Sequence, residues 1–284
     1  MLDQSKSNDE HYWDRVAEET RSKDNVKMTE DWIALKNWVA EYADAKAKDL
    51  LLKTYERFIV LPKTARILDV GCGSGKWTRM YAEKGYTTTG IDASSGMIRL
   101  AKAGKISLEK VNLCVMDASS LGFQNASFDL VNCVTVLQHI TSNEKWKRAI
   151  KEIVRVTKPC GSILLYEVAP LLPLSRGMQS VRVRTSKEYE TEFAKAGARL
   201  VFSLATDISF LLTIFSLRKY STTFAKNEAY FYWTRRKRTI SWAQIASMSS
   251  KIIAGVARQI DYRLAETPLG MISPLRIMLF KKAH

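Results

Sequence analysis

Cysteine, histidine and proline are scarce in this chain of 284 residues, at four, three and six respectively. Cys72, Cys114, Cys133 and Cys160 are too few and too widely spaced for a disulfide scaffold, and neither a CxxC pair nor a His-rich spacing offers a zinc site. Reduced thiols and a cytoplasmic protein are the expectation. Met1 to Glu10 is polar with three acidic groups, so it lacks the basic start and apolar centre of a secretory signal. Long hydrophobic runs are missing as well. The nearest, Leu200 to Leu217, is interrupted by Asp207 and diluted by five Ser or Thr residues, which predicts a strand leading into a buried or interfacial helix rather than a membrane span.

Acidic side chains are in short supply too. Against 44 Lys and Arg stand 29 Asp and Glu, a formal charge of +15 that favours anionic partners. The excess is uneven: residues 201–284 hold 13 basic and 4 acidic side chains, a net of +9. What is present in ordinary amounts is the material of a folded domain, with 46% hydrophobic and 26% charged residues, which excludes a disordered or collagen-like chain.

Two helices are predicted over 29–60, where Trp32, Leu35, Val39 and Tyr42 share one face and Leu51, Tyr55 and Ile59 another. Beyond Leu61-Pro62, short apolar runs near residues 66, 87, 111, 128 and 161 alternate with helical patterns near 75, 95 and 143. That alternation calls for a parallel sheet with helices on both faces, a doubly wound α/β fold. A helix over 186–197, a strand from Arg199 and a last strand from Leu275 to Lys282 follow. The last two strands are separated by about sixty residues, where α/β connections usually run to roughly two to six. This insertion is predicted to be helical, with Ile245, Met248, Ile252, Val256 and Ile260 on one stripe.

The most informative segment is Asp69-Val-Gly71-Cys-Gly73-Ser-Gly75-Lys76, where a buried strand runs into three glycines and then a helix. Glycine is required where a backbone turns sharply or comes close to a ligand. A dinucleotide fingerprint would need glycine at position 76, and a phosphate loop would need glycine at 70 and a hydroxyl at 77, where Val70 and Trp77 stand. The remaining pattern, D-x-G-x-G-x-G, resembles the first motif of class I S-adenosylmethionine-dependent methyltransferases. The resemblance continues in order through Gly90-Ile-Asp92-Ala93-Ser-Ser-Gly-Met97, Asp117-Ala118, Val134 to Ile140 and Arg155 to Gly161, and covers residues 64–207. It implies a Rossmann-like methyltransferase fold, mostly parallel and seven-stranded, with N-terminal helices (1–62), a core (63–207), the helical insertion (208–268) between the last two strands, and a final strand (269–284).

It also implies a cofactor, S-adenosylmethionine, lined by Asp69, Gly71, Gly73, Gly75, Asp92, Ala93, Met97, Asp117, Ala118 and Val134. Asp92, at the end of the second strand, is matched to the carboxylate that accepts the ribose hydroxyls, and a helix N-cap is its alternative reading. Asp117 is matched to the adenine amine, with turn capping as its rival. Asp69 is read as orienting the glycine loop near the donor's amino acid end. A hydroxyl acceptor needs a base, and His139 and Glu167 are the catalytic candidates, although His139 also suits a capping or donor-contact role. His11, Tyr12 and Trp13 are read either as a lid or as a hydrophobic anchor.

The acceptor is expected to be a small molecule, a glycan or a lipid-linked compound, methylated at an oxygen. Tyr230 to Trp233 abut Arg235, Arg236, Lys237 and Arg238, and apolar helices flanked by cations suit peripheral contact with an anionic membrane surface. Aromatics beside bases equally suit RNA, the alternative partner. A solvated face, or a non-catalytic binding protein on the same fold, are the other readings.

Overall fold

The computed structural model describes residues 8–21, 49–104, 108–171, 181–206 and 275–283. The chain divides into two compact units, one of Met1–Asn25, Phe58–Leu204 and Pro274–His284, the other of Val26–Arg57 and Ala205–Ser273. In the second unit the described part is chiefly helix α2 (49–58), which buries Leu50, Leu51 and Tyr55 and turns the Thr54 hydroxyl back onto the Leu50 carbonyl at 2.8 Å. The predicted helices of the insertion 208–268, including the stripe from Ile245 to Ile260, lie outside the described residues, as does the predicted helix around Trp32.

The first unit holds a sheet of seven strands: β1 (Arg66–Val70), β2 (Thr87–Asp92), β3 (Val111–Val115), β4 (Phe128–Val134), β5 (Thr157–Val168), β6 (Ala198–Thr206) and β7 (Leu275–Lys282), in the order β3-β2-β1-β4-β5-β7-β6. β1 to β5 pair in parallel and β7 runs antiparallel to β5. The helices are α1 (Asn8–Arg21), α3 (Lys76–Glu83), α4 (Ser95–Ala103), α5 (Asn143–Val156) and α6 (Ser186–Lys195). The fold class read from the sequence is therefore the one observed.

The central strands are near-continuous apolar runs because both of their faces are covered. Ile67, Leu68, Leu130, Val131, Ile163, Leu164 and Leu165 are essentially without solvent contact. Each such side chain contributes roughly 1.5–3 kcal/mol of burial free energy. α5 supplies one cover through Trp146, Ala149, Ile150, Ile153 and Val154, which recur at helical spacing on its buried face. Its first turn is closed by Ser142, whose hydroxyl accepts from the Lys145 amide, and α6 opens with a reciprocal capping box between Thr185 and Glu188.

Three elements differ from the sequence reading. α1 occupies residues expected only as a lid or an anchor. β5 starts at Thr157 rather than near 161, because its first residues pair with β4 across an irregular register before the chain straightens at Ser162. A short 3₁₀ turn, Leu137–His139, follows β4 and carries a candidate catalytic residue. The segment Leu200 to Leu217 begins as β6, and among the described residues no helix is long and apolar enough to cross a membrane.

Candidate functional site

The strand order places a switch between β1 and β4, where the chain has wound outward in one direction through β2 and β3 and then in the other through β5. Parallel sheets bind ligands in the crevice outside the carboxyl ends of strands at such a point. Val70 pairs in register with Ile91 on one side and Cys133 on the other, so Gly71 leaves the sheet between Asp92 and Val134. The glycine loop, Asp92 and Val134 therefore meet at the carboxyl ends of these strands, while the Arg155 to Gly161 motif lies at their amino ends, where Thr157 pairs with Phe128.

Gly71, Gly73 and Gly75 have φ values of +64°, +53° and +81°, a left-handed conformation that glycine adopts without steric cost. A Cβ on Gly71 would stand 2.3 Å from a methyl of Val136, so the glycine loop and the loop after β4 are in backbone-to-side-chain contact. A Cβ on Gly73 would meet nothing within 4 Å, which leaves that backbone facing open space. Gly75, left-handed as well, is the N-cap of α3.

Asp92 ties this loop to the end of β2. One carboxylate oxygen accepts the Gly73 amide at 2.9 Å and the other accepts the Ser94 amide at 2.9 Å. The N-cap of α4 is Ser94 itself, whose hydroxyl accepts from Met97. Each Asp92 oxygen keeps a second lone pair, the acceptor pair that a vicinal diol requires. Burial pushes its pKa up, partly offset by the two amides. Ala93 and Val134 are half-buried, and Met97 and Ala118 are buried.

Asp69 is enclosed and does not line the crevice. Its carboxylate receives the Thr78 hydroxyl at 2.6 Å and the Asn132 amide at 2.8 Å, joining β1, α3 and β4. Burial raises its pKa to about 6 against these bonds. Asp117 caps the turn that follows it, accepting from the Ser119 amide and hydroxyl, and pairs with Lys145 at 2.7 Å. Burial pushes this group up, but Lys145 and Ser119 outweigh it and hold the carboxyl below its ordinary value. Turn capping is thus the role its contacts show, with one lone pair of the Lys145-bound oxygen left over.

His139 is half-buried in the 3₁₀ turn, its ring 4.9 Å from that of Trp13 and nearly perpendicular to it. Asp14, the next residue of α1, accepts from the Ser94 hydroxyl at 2.5 Å and the Gly96 amide at 3.0 Å. α1 therefore touches both the loop after β2 and the loop after β4. Glu167 corrects the sequence reading. It is fully buried, and its carboxylate accepts the amides of Val136, Leu137 and Gln138 at 2.8, 2.9 and 3.2 Å, so it has no face toward an acceptor. The reason lies in strand length: β5 runs past the end of β4, where Val134 pairs with Tyr166, and Glu167 meets a chain that has already turned away.

Residues 68–165 match the family model of the methyltransferase domain. This segment is a methyltransferase domain. Its sequence is 36% identical over 124 residues to demethylmenaquinone methyltransferase of Staphylococcus epidermidis, and 35% identical over 123 residues to that of Staphylococcus aureus. Each match covers 42% of this chain and 50% of the relative, so only about half the length of these relatives is spanned. Among solved structures, phosphoethanolamine N-methyltransferase 2 of Haemonchus contortus in complex with S-adenosyl-L-methionine superposes with a TM-score of 0.54 at 18% identity, over 83% of this chain and 53% of that one. The 4+2 cyclase SpnF superposes at 0.53 and 21% identity, over 84% and 82% of the two chains. These two likenesses concern the fold.

Sequence reasoning missed Thr78 and Asn132 within the methyltransferase domain and Asp14 and Arg184 outside it, each of which acts through a partner 9 or more positions away in the chain. No local pattern marks them. The Gly71 contact predicts that Gly71→Ala costs on the order of 2 kcal/mol of stability, by clash and by left-handed strain. Adding Val136→Ala should restore part of it, and a denaturant double-variant cycle reads the difference. Asp69 predicts a pH dependence. Its folded pKa of about 6 exceeds its ordinary 3.8, so the unfolded chain loses this proton first as pH rises. Its contribution to stability is therefore greatest below pH 3.8, falls through the window to about 6 and is flat above. Denaturation of the protein against Asp69→Asn across that window should show the variant losing this slope.

Proposed function

We propose that this protein is an S-adenosylmethionine-dependent methyltransferase acting on an oxygen of a small-molecule, glycan or lipid-linked acceptor. The observation that carries the reading is the Asp92 carboxylate, locked to the open Gly73 backbone at the sheet's switch point and still offering two acceptor lone pairs. In this reading Asp92 holds the ribose hydroxyls, Gly71 to Gly75 the amino acid end, and Ala118, Met97 and Asp117 the adenine. S-adenosylmethionine supplies, when bound, a methyl group on a sulfonium that needs only an aligned nucleophile. The relatives named for demethylmenaquinone and the neighbour named for phosphoethanolamine favour a small acceptor.

His139 is the proton acceptor of this proposal. Its Nε2 lies 3.4 Å from the Gln138 side-chain nitrogen, a contact that is a hydrogen bond only in the tautomer with Nε2 unprotonated. Proton uptake at Nε2 requires that long contact to open. Glu167 is not part of this step.

Turnover tests the proposal: the protein should convert S-adenosylmethionine to S-adenosylhomocysteine when given cell extract, with label from the methyl group appearing in the small-molecule or lipid fraction. Asp92→Ala should weaken donor binding at least roughly tenfold by calorimetry, the cost of two charge-assisted hydrogen bonds. Unchanged affinity in that variant would remove the ribose assignment, and absence of any turnover would leave a binding protein on this fold.

The basic insertion is read, from sequence, as the device that brings the enzyme to an anionic membrane surface and its acceptor. Each Lys or Arg near such a surface contributes about 1 kcal/mol, so Arg235, Arg236, Lys237 and Arg238 supply roughly 4 kcal/mol before screening, enough for salt-reversible docking. Changing all four to Gln should abolish co-sedimentation with anionic liposomes and leave donor binding intact. Indifference to liposomes, together with salt-sensitive binding of structured RNA, would replace the membrane with RNA.

A further inference from the structure

We infer that Glu167 and Arg184 are positioning residues that hold, from opposite ends, the turn carrying His139. This rests on reading His139 as the acceptor-side base.

The turn begins with amides that have no partner within it and ends with the Ile140 carbonyl in the same state, the common condition of a short helix, while the Leu137 carbonyl takes the Ile140 amide at 3.3 Å. Glu167 takes the amides of Val136, Leu137 and Gln138. Arg184, equally enclosed, donates to the Ile140 carbonyl at 2.8 Å, to the Leu137 carbonyl at 3.4 Å and to the Asn143 side chain at 3.4 Å, its guanidinium lying 4.4 Å over the Trp146 ring. Gln138 is fastened further: its side-chain oxygen accepts the Val168 amide and its carbonyl the Arg182 amide, both at 2.8 Å. His139 therefore stands between two peptide groups with little freedom to move.

A purely structural explanation does not account for the choice of residues. Burying a carboxylate and a guanidinium each costs several kcal/mol, which a direct ion pair would partly repay. Glu167 and Arg184 make no such pair with each other, and both spend their charge on the backbone of one turn. Neutral packing would fill the space at lower cost, but it would leave the peptide groups around His139 without a fixed direction.

The carboxylate end of this arrangement responds to pH. The three amides favour the ionised form: Oε1 takes two of them and Oε2 the third, and a proton on Oε2 removes the charge that strengthens all three and leaves that oxygen a weaker acceptor for Gln138. Burial pushes Glu167 up to about 7 in spite of those amides. The groups that face it are the Cys133 thiol at 3.8 Å, the Tyr189 phenol, Arg184 beyond the turn and Arg276, its register partner on β7. Thiol and phenol are both held neutral by burial, so Glu167 is the member of this set that titrates near neutrality.

Amide hydrogen exchange by NMR, with full-length protein and bound S-adenosylhomocysteine, tests this without relying on turnover. Between pH 8.5 and 6, protection of the Val136, Leu137 and Gln138 amides should fall by roughly tenfold relative to Ile163 to Leu165 of β5, and Glu167→Gln should remove that pH dependence. In Arg184→Lys the His139 ring resonance should move as the ring leaves Trp13, and the single-turnover rate should fall roughly 10- to 100-fold while donor affinity stays within about threefold. Protection independent of pH in the unaltered protein, or an unmoved His139 resonance in Arg184→Lys, would overturn the inference. If Glu167→Gln does not fold, the pH series on the unaltered protein and Arg184→Lys still decide. Amides and ring that respond as described in a protein without turnover would uphold the positioning and reject the methyl transfer.

Discussion

Gly71 leaves β1 with φ at +64° and with Val136 where its side chain would otherwise begin, and the crevice depends on this lack of room. A side chain at position 71 would push the loop after β4 away from the glycine loop, or the glycine loop away from β2. Either movement breaks the geometry in which Gly73 donates to Asp92 and Thr135 donates to the Tyr166 carbonyl. Thr135 is left-handed too and, unlike glycine, strained there, with φ at +55° in a β-branched residue. The chain thus holds two left-handed residues side by side where β1 and β4 part, and the ordered parallel strands beneath them keep both in place.

Three carboxylates then divide the labour around that point. Asp69 is enclosed and joins β1, α3 and β4 through side chains, Asp92 is half open and joins β2 to the glycine loop through an amide, and Glu167 is enclosed and takes three amides. Burial raises the pKa of all three. Only the half-open one combines retained lone pairs with access, which is the physical basis for assigning it to the ligand and the other two to the frame. The same comparison separates His139 from Glu167, because a group that exchanges protons with an acceptor must reach it.

α1 adds a contact that spans the crevice within this unit. Asp14 caps the amide of Gly96 in another helix and Trp13 meets His139, so one turn of α1 meets both the loop after β2 and the loop after β4. A carboxylate at the N-terminus of α4 is favourable in itself, since the first amides of a helix lack partners and carry its positive end.

By itself the sequence determined the alternation of strands and helices, the parallel sheet, the glycine loop and the position of Asp92 at a strand end. Each of these is a local property, fixed by apolar runs of strand length, by the conformational freedom of glycine and by the order of motifs along the chain. The tertiary structure alone decided what each polar group does. Glu167 reads as a candidate base because it stands at the end of a strand, where such sheets place their chemistry, and it fails because β5 outruns β4 and buries it under a turn. Asp117 reads equally well as ligand or cap, and Lys145, 28 residues further on, adds an ion pair that no local pattern announces. Arg184, Asn132 and Asp14 carry no signal in their own neighbourhoods, because a hydrogen bond between distant segments exists only once the strands that bring them together have paired.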